Sequence, residues 1–254
     1  MSSLVPHGTP VVLLNAFPLD RRQWEPLITE LSERYPGLGD VISFDMPGIG
    51  DMPLPDEEPS LELIADAAVT AMHEVTGQHA AIWIGCSMGG YVAMAIVERD
   101  ADAVAGLGLL GTKASADNDE ARAKRLDVAA QMDAVSAPPD PGAMAEPLVG
   151  TQGPGREALV ASVADNIGAQ PADGIAWGQR AMAARPDRTA VLRAVDAPAV
   201  VIAGENDGVA PREATDEMAQ ALGVEPVVID AVGHLCAVEA PSEVAQALAP
   251  LFHD

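Results

Sequence analysis

Lysine is almost missing from this chain. Lys113 and Lys124 are the only two, and with the arginines they bring the basic residues to 14 against 38 aspartates and glutamates. The formal charge of -24 would repel the phosphates of nucleic acids and the anionic headgroups of membranes, so neither is an expected partner. Cysteine is as scarce: Cys86 and Cys236 alone cannot supply the disulfide framework on which a small secreted domain depends. The opening MSSLVPHGTP has neither the basic start nor the apolar run of a signal peptide. No apolar run approaches the ~20 residues that span a bilayer. These absences lead us to expect a soluble, cytoplasmic protein. The shortage of lysine beside abundant alanine is the composition that genome bias or salt adaptation produces.

What remains suffices for one large core, with 254 residues of which 48% are hydrophobic. Short runs of valine, isoleucine and leucine recur at 11–14, 41–44, 81–84, 104–110, 200–203 and 226–229, and read as buried strands. Between the early runs lie segments of helical period. Leu61, Ile64, Ala68, Met72 and Val75 fall on one helix face behind Ser60, a residue suited to cap the first turn. Strands alternating with helices predict an α/β fold with a mostly parallel sheet covered on both faces.

The alternation breaks after Gly111. Up to about residue 195, Pro138, Pro139, Pro141, Pro147, Pro154, Pro171 and Pro186 punctuate helix-like stretches, among them 120–132 and 156–167, with no convincing strand. We therefore expect a core of residues 1–111 and 196–254 with a helical cap inserted at 112–195. A separate helical domain, or ordinary crossover helices, is the plainer alternative.

The segment Gly85-Cys86-Ser87-Met88-Gly89 fits G-x-S-x-G directly after the apolar run 80–84. That pentapeptide alone is unspecific, but a strand before it and a helix over 90–99 after it are the context a nucleophile elbow needs. There a serine sits in a strained turn while small neighbours let strand and helix approach. A serine hydroxyl becomes a useful nucleophile only when an imidazole takes its proton, and that imidazole needs a carboxylate to fix its tautomer. Of the histidines, His7 and His253 lie near the ends, His73 falls in an amphipathic helix and His79 precedes a strand. His234 stands in a loop after the last strand, and is the candidate base. Asp207 follows the fifth strand in Gly204-Glu205-Asn206-Asp207-Gly208, where active-site loops gather in open α/β sheets. Glu205 is the substitute acid, and Asp207 can also be read as a plain turn former. The order Ser87, Asp207, His234 is the one this architecture uses. The first strand leads into Asn15-Ala16-Phe17-Pro18, a turn able to aim a backbone N–H at the serine, so the N–H groups of Phe17 and Met88 are the expected oxyanion donors. Phe17 is equally suited to pack at the strand exit. The turn 45–50 (DMPGIG) reads as a structural element of the pocket wall. No residue pattern calls for a metal or cofactor.

These residues resemble the α/β-hydrolase superfamily over nearly the whole chain. NAFPLDRRQW at 15–24, DMPGIG at 45–50, GCSMGGY at 85–91, GENDGVAP at 204–211 and GHLCAVEAP at 233–241 are similar to its carboxylesterase and enol-lactonase branch. The resemblance implies a serine hydrolase acting through an acyl-enzyme on a small-molecule ester, lactone or thioester. Two departures stand out. Asn15-Ala16 occupies the place where the branch usually carries His-Gly, and ten residues leave too little room for its usual N-terminal hairpin, so the sheet should lack at least one early strand. A serine at the elbow argues against the dehalogenases and epoxide hydrolases of this fold, which use aspartate. Carbon-carbon bond hydrolase, hydroxynitrile-lyase-like lyase and non-catalytic ligand receptor remain alternatives. A cap rich in alanine, methionine and leucine suggests a small, mostly apolar acyl group. Arg21 and Arg22 could instead hold a substrate carboxylate, although solvated residues at a helix start are the simpler reading.

Overall fold

Six short apolar strands lie side by side, all parallel, in the order β2-β1-β3-β4-β5-β6 of the computed structural model, which describes residues 7–252. In chain order the elements are β1 (Val11–Leu14), α1 (Glu25–Arg34), β2 (Val41–Phe44), α2 (Leu61–Thr76), β3 (Ala81–Cys86), α3 (Met88–Arg99) and β4 (Val104–Leu110). Five helices follow without an intervening strand: α4 (Asp119–Met132), α5 (Pro141–Ala145), α6 (Arg156–Gly168), α7 (Ala172–Ala184) and α8 (Thr189–Leu192). The chain then returns to the sheet with β5 (Ala199–Gly204), α9 (Arg212–Leu222), β6 (Val227–Ile229), α10 (Cys236–Glu239) and α11 (Pro241–Ala247). Among the described residues no hairpin precedes β1, and every strand pairing is parallel.

Alternation of side chains across each strand explains why the runs are apolar, with Ser43 of the edge strand β2 the one polar residue. Val12, Leu14, Trp83, Leu109 and Val201 point into a core shared with α2, α3 and α9, while Val11, Leu13, Ile82, Ile84 and Ile202 point into one shared with α1 and α11. Both faces of the inner strands are buried, so a polar side chain at either parity there would be desolvated. Trp83 reconciles its indole with this burial by donating Nε1–H to the carbonyl of Ala103 at 2.8 Å. Helix α2 begins where the sequence indicates: the Ser60 hydroxyl accepts the N–H of Leu63 at 3.1 Å, a cap contributing about 1 kcal/mol, and Gly77 ends the helix at φ +67°.

The register aligns the carboxyl ends of the strands. Leu14 pairs with Phe44 and Gly85, Cys86 with Leu110, Leu110 with Ile202, and Gly204 with Ile229. The turns after β1, β3, β4, β5 and β6 therefore emerge on one edge of the sheet. The helices between β4 and β5 bring their own apolar residues into the sheet's cluster: Met132 of α4 and Ile175 and Ala176 of α7 share it with Val12 and Leu14. Arg188, buried beside Glu98 and Glu62, fastens the end of this insertion to α2 and α3.

Candidate active site

The turn from β3 into α3 is made by one residue. Ser87 adopts φ +52°, a region that L residues other than asparagine and aspartate seldom enter, and α3 starts immediately afterwards at Met88. The sequence places this helix two residues later; the strained serine completes the reversal alone, so the helix needs no lead-in. The backbone around it is fully engaged: Ser87 N–H donates to Leu110 O at 2.9 Å, and Ser87 O accepts the Thr112 hydroxyl at 2.7 Å. Tight packing makes two glycines necessary. A Cβ on Gly85 would overlap the carbonyl of Gly89, and one on Gly89 would overlap the carbonyl of Leu14. Gly89→Ala should thus wedge α3 away from β1 and cost about 2 to 3 kcal/mol, read as a lower urea midpoint with an unchanged denaturant slope. An unchanged midpoint would show that the contact relaxes freely.

His234 and Asp207 meet on the same edge. His234 Nδ1 lies 2.9 Å from Asp207 Oδ2 and 3.1 Å from Oδ1, with both side chains 2% exposed. Asp207 Oδ1 also accepts the N–H groups of Val209 at 2.8 Å and Ala210 at 2.9 Å, which fix the carboxylate plane. Burial pushes the Asp207 carboxyl upward, but the hydrogen bond and charge of His234 together with these two N–H groups outweigh it and hold the group below its usual value. A depressed folded value means that the stabilisation from this pair is present above the ordinary carboxylate range and is lost only as pH falls below it. Gly111 connects this pair to the serine: its Cα faces the ring nitrogen of His234 and Oδ2 of Asp207, and it directly follows the Leu110 carbonyl that Ser87 binds. The Ser87 hydroxyl itself makes no hydrogen bond among the described residues, and apo sites of this kind are often loose.

The remaining sequence candidates are placed as follows. The N–H groups of Phe17 and Met88 have no acceptor among the described residues, and the turn carrying Phe17 is docked on the elbow through Gly89 N–H to Asn15 O at 3.0 Å. Asn15 is fully buried; its Oδ1 accepts the Trp24 indole at 2.7 Å and its Nδ2 donates to Asp45 at 3.3 Å. It ties the β1 exit to the helical turn Arg21–Trp24 and to the turn after β2. Glu205 accepts the Ala231 N–H at 2.9 Å, away from the histidine. Arg21 binds Asp45 at 2.7 Å and Asp51 at 2.6 Å, and Arg22 grips Asp20 with Nε and Nη2, so both arginines are engaged by protein carboxylates rather than merely solvated. His73 and His79 stack on each other at 5.1 Å, and His253 lies outside the described residues. Burial pushes the Cys236 thiol up to about 12 and that of Cys86 well above the ordinary range, which leaves both protonated and inert beside the serine.

Two positioning residues carry no signal in the sequence. Gln23 Oε1 accepts the Ala16 N–H at 2.8 Å and so holds the turn that presents Phe17. Glu239 accepts Gly233 N–H at 3.0 Å through one oxygen, and through the other Gly150 N–H, Thr151 N–H and the Thr151 hydroxyl at 2.7 to 2.9 Å. It clamps the histidine loop to the helical insertion. A second clamp is Asp20, whose carboxylate receives Asn166 and Gln170 of the α6 region at 3.0 Å each. Among the described residues no group of three or more histidine, cysteine or acidic side chains is arranged to hold a metal, and no helix is long and apolar enough to cross a membrane.

Residues 11–247 match the profile of the Alpha/beta hydrolase family. Among solved structures, a thermophilic esterase from Thermogutta terrifontis, with malate bound, shares 31% identity at a TM-score of 0.85, over 96% of this chain and 89% of that one. An enol-lactonase from Burkholderia xenovorans LB400 superposes with a TM-score of 0.78 at 23% identity, over 98% of this chain and 93% of that one. MenH from S. aureus superposes at 0.81 with 19% identity, over 99% and 96%. At the last two identities the likeness is one of fold. No curated protein matches the sequence. A profile match across nearly the full length, a parallel sheet with a serine at the strand-to-helix turn, and an esterase at 31% identity agree: the chain belongs to the alpha/beta hydrolase family.

Proposed function

We propose that this protein is a serine hydrolase that cleaves a small ester, lactone or thioester through an acyl-enzyme on Ser87. The observation that carries the reading is the buried His234–Asp207 pair, 2.9 Å apart, on the same sheet edge as a serine held at φ +52°. Asp207 accepts Nδ1–H, which leaves Nε2 free to take the hydroxyl proton as Ser87 Oγ bonds to the substrate carbonyl carbon. Negative charge then collects on the carbonyl oxygen, where the N–H groups of Phe17 and Met88 receive it. The tetrahedral species collapses as His234 returns the proton to the leaving oxygen or sulfur, and water repeats the sequence to release the acid. Residues 112–195 act as a cap: Leu148 O accepts the Leu235 N–H at 3.2 Å, Glu239 holds Gly150 and Thr151, and the Phe17 ring lies against Gly178 of α7. The esterase at 31% identity supports an ester as the bond attacked.

A fluorophosphonate probe tests the assignment, because it reacts only with a serine whose proton is being removed. Intact mass should show one adduct on the native protein and none on Ser87→Ala. A folded native protein that stays unlabelled refutes the nucleophile. Labelling without turnover of short p-nitrophenyl esters or lactones would transfer the site to a lyase that uses the same serine as a proton carrier.

A further inference from the structure

Both lysines of a chain with formal charge -24 face one cavity. It measures about 330 Å³ and lies between insertion and core, bounded by Lys113 after β4, Lys124, Arg125 and Val128 on α4, Gln179 on α7 and Val209 after β5. Helical spacing gathers the three α4 residues on one side, since positions three and four apart are surface neighbours.

Charge at this wall does not balance. Asp117, with its side chain 2% exposed, receives Lys113 Nζ at 2.9 Å, Arg125 Nε at 2.6 Å and both Nη groups of Arg185 at 2.6 and 2.9 Å. One carboxylate thus faces three cations. Burial alone would raise its carboxyl, yet these partners hold it far below the usual range. Arg185, with its side chain also 2% exposed and stacked 4.2 Å over Tyr91, would satisfy Asp117 by itself. Lys113 and Arg125 are each 23% exposed and keep donors in reserve: Lys113 uses one of its three, and Arg125 Nη2 has no acceptor among the described residues. Lys124 makes no ion pair among the described residues. These spare donors reach solvent and are open to a ligand.

Two residues of the cavity lining, Lys113 and Val209, are tied to the candidate site. The Thr112 hydroxyl donates to Ser87 O at 2.7 Å and Lys113 is the next residue; with ~3.8 Å between successive Cα atoms, its backbone lies within about 11 Å of Ser87. On the other wall, Val209 N–H donates to Asp207 Oδ1. Val128 and Val209 give the lining apolar surface for a short hydrocarbon.

We propose that Lys113, Lys124 and Arg125 form an anion subsite of the reactive centre that takes a carboxylate carried by the substrate, so that a half-ester of a short dicarboxylic acid is preferred over a wholly apolar ester. Arg125 Nη2 and the two ammonium groups can each donate to a carboxylate. The proposal rests on Ser87 being the nucleophile, and it replaces the apolar acyl group suggested by cap composition with one that is apolar in the middle and charged at its end.

The test compares kcat/KM for mono-p-nitrophenyl glutarate with that for p-nitrophenyl pentanoate, which has the same acyl length without the carboxylate. In the native protein the ratio should exceed one at low salt, against the repulsion expected from the net charge, and fall as sodium chloride screens the subsite. In Lys113→Gln/Lys124→Gln the ratio should drop about 10-fold or more relative to the native protein, and in Lys124→Gln, an exposed position that puts no folding at risk, about 3-fold. A double variant whose ratio stays within about twofold of the native value overturns the subsite. Loss of turnover of both esters together with no fluorophosphonate labelling refutes the hydrolase reading instead. The subsite is then decided by calorimetric titration with glutarate: binding at least about 10-fold weaker in the double variant sustains it, and equal binding or none by the native protein overturns it.

Discussion

Ser87→Ala should lower kcat for ester hydrolysis by about 10⁴-fold or more while leaving the protein folded. The loss is large because nucleophile, base and acid act as a unit, so the remaining imidazole has no oxygen to activate. Folding should survive because the groups of Ser87 that hold the elbow belong to the main chain. Its N–H binds Leu110 O and its carbonyl accepts Thr112 and Gly90, contacts that alanine keeps, and alanine meets the same positive φ at similar strain. The two cysteines cannot substitute, since burial leaves both thiols protonated. The checks are steady-state kinetics and a urea midpoint on the same preparation. More than about a tenth of native activity in a pure, folded variant would place the nucleophile elsewhere.

Asp207→Asn should cost about 10⁴-fold in kcat, although it changes one oxygen to an NH₂ group of similar size. The reason is local geometry. Oδ1 of Asp207 already accepts two backbone N–H groups, from Val209 and Ala210. An asparagine satisfies them by putting its carbonyl oxygen there, which turns its NH₂ toward His234 Nδ1. Nδ1 must then accept, the ring proton moves to Nε2, and the atom that should take the serine proton carries one already. Removing the anion also removes what stabilises the imidazolium during reaction. The variant should still fold, and loss of fluorophosphonate labelling should parallel the loss of turnover. A fall of less than about 10-fold would show that Asp207 neither selects the tautomer nor supplies the charge, and the turn-former reading would stand.

Much of this arrangement is legible in the sequence, for a definable reason. The six strands are runs in which every residue but Ser43 of the edge strand β2 is apolar, because both faces of a covered parallel sheet are largely buried, so the signal is local and repeated. Ser60 marks the start of α2 because capping acts within one turn. Ser87 stands out because glycine is needed on either side where strand and helix nearly touch, and the chain order of Asp207 and His234 follows once the strands are counted.

Other features depend on partners far along the chain, and no local pattern announces them. Arg21 and Arg22 look available for a ligand in sequence, yet Asp45, Asp51 and Asp20 occupy them, two of these carboxylates arriving only when β2 lies beside β1. Glu239 reads as an ordinary helix acid until the fold brings Gly150 and Thr151 to its carboxylate. Asn15, standing in the place of a usual histidine, becomes intelligible only when Trp24, Asp45 and Gly89 converge on it.

The sequence by itself determined the parallel α/β sheet and the strand-to-helix turn at Ser87, since apolar periodicity, capping and glycine requirements are short-range properties of the chain. Only the tertiary structure decided that His234 Nδ1 meets Asp207 at 2.9 Å, that Gln23 and Glu239 hold the loops around them, and that both lysines collect on one cavity. Hydrogen bonds and charge surpluses between distant segments exist only after the two apolar cores have fixed which segments are neighbours.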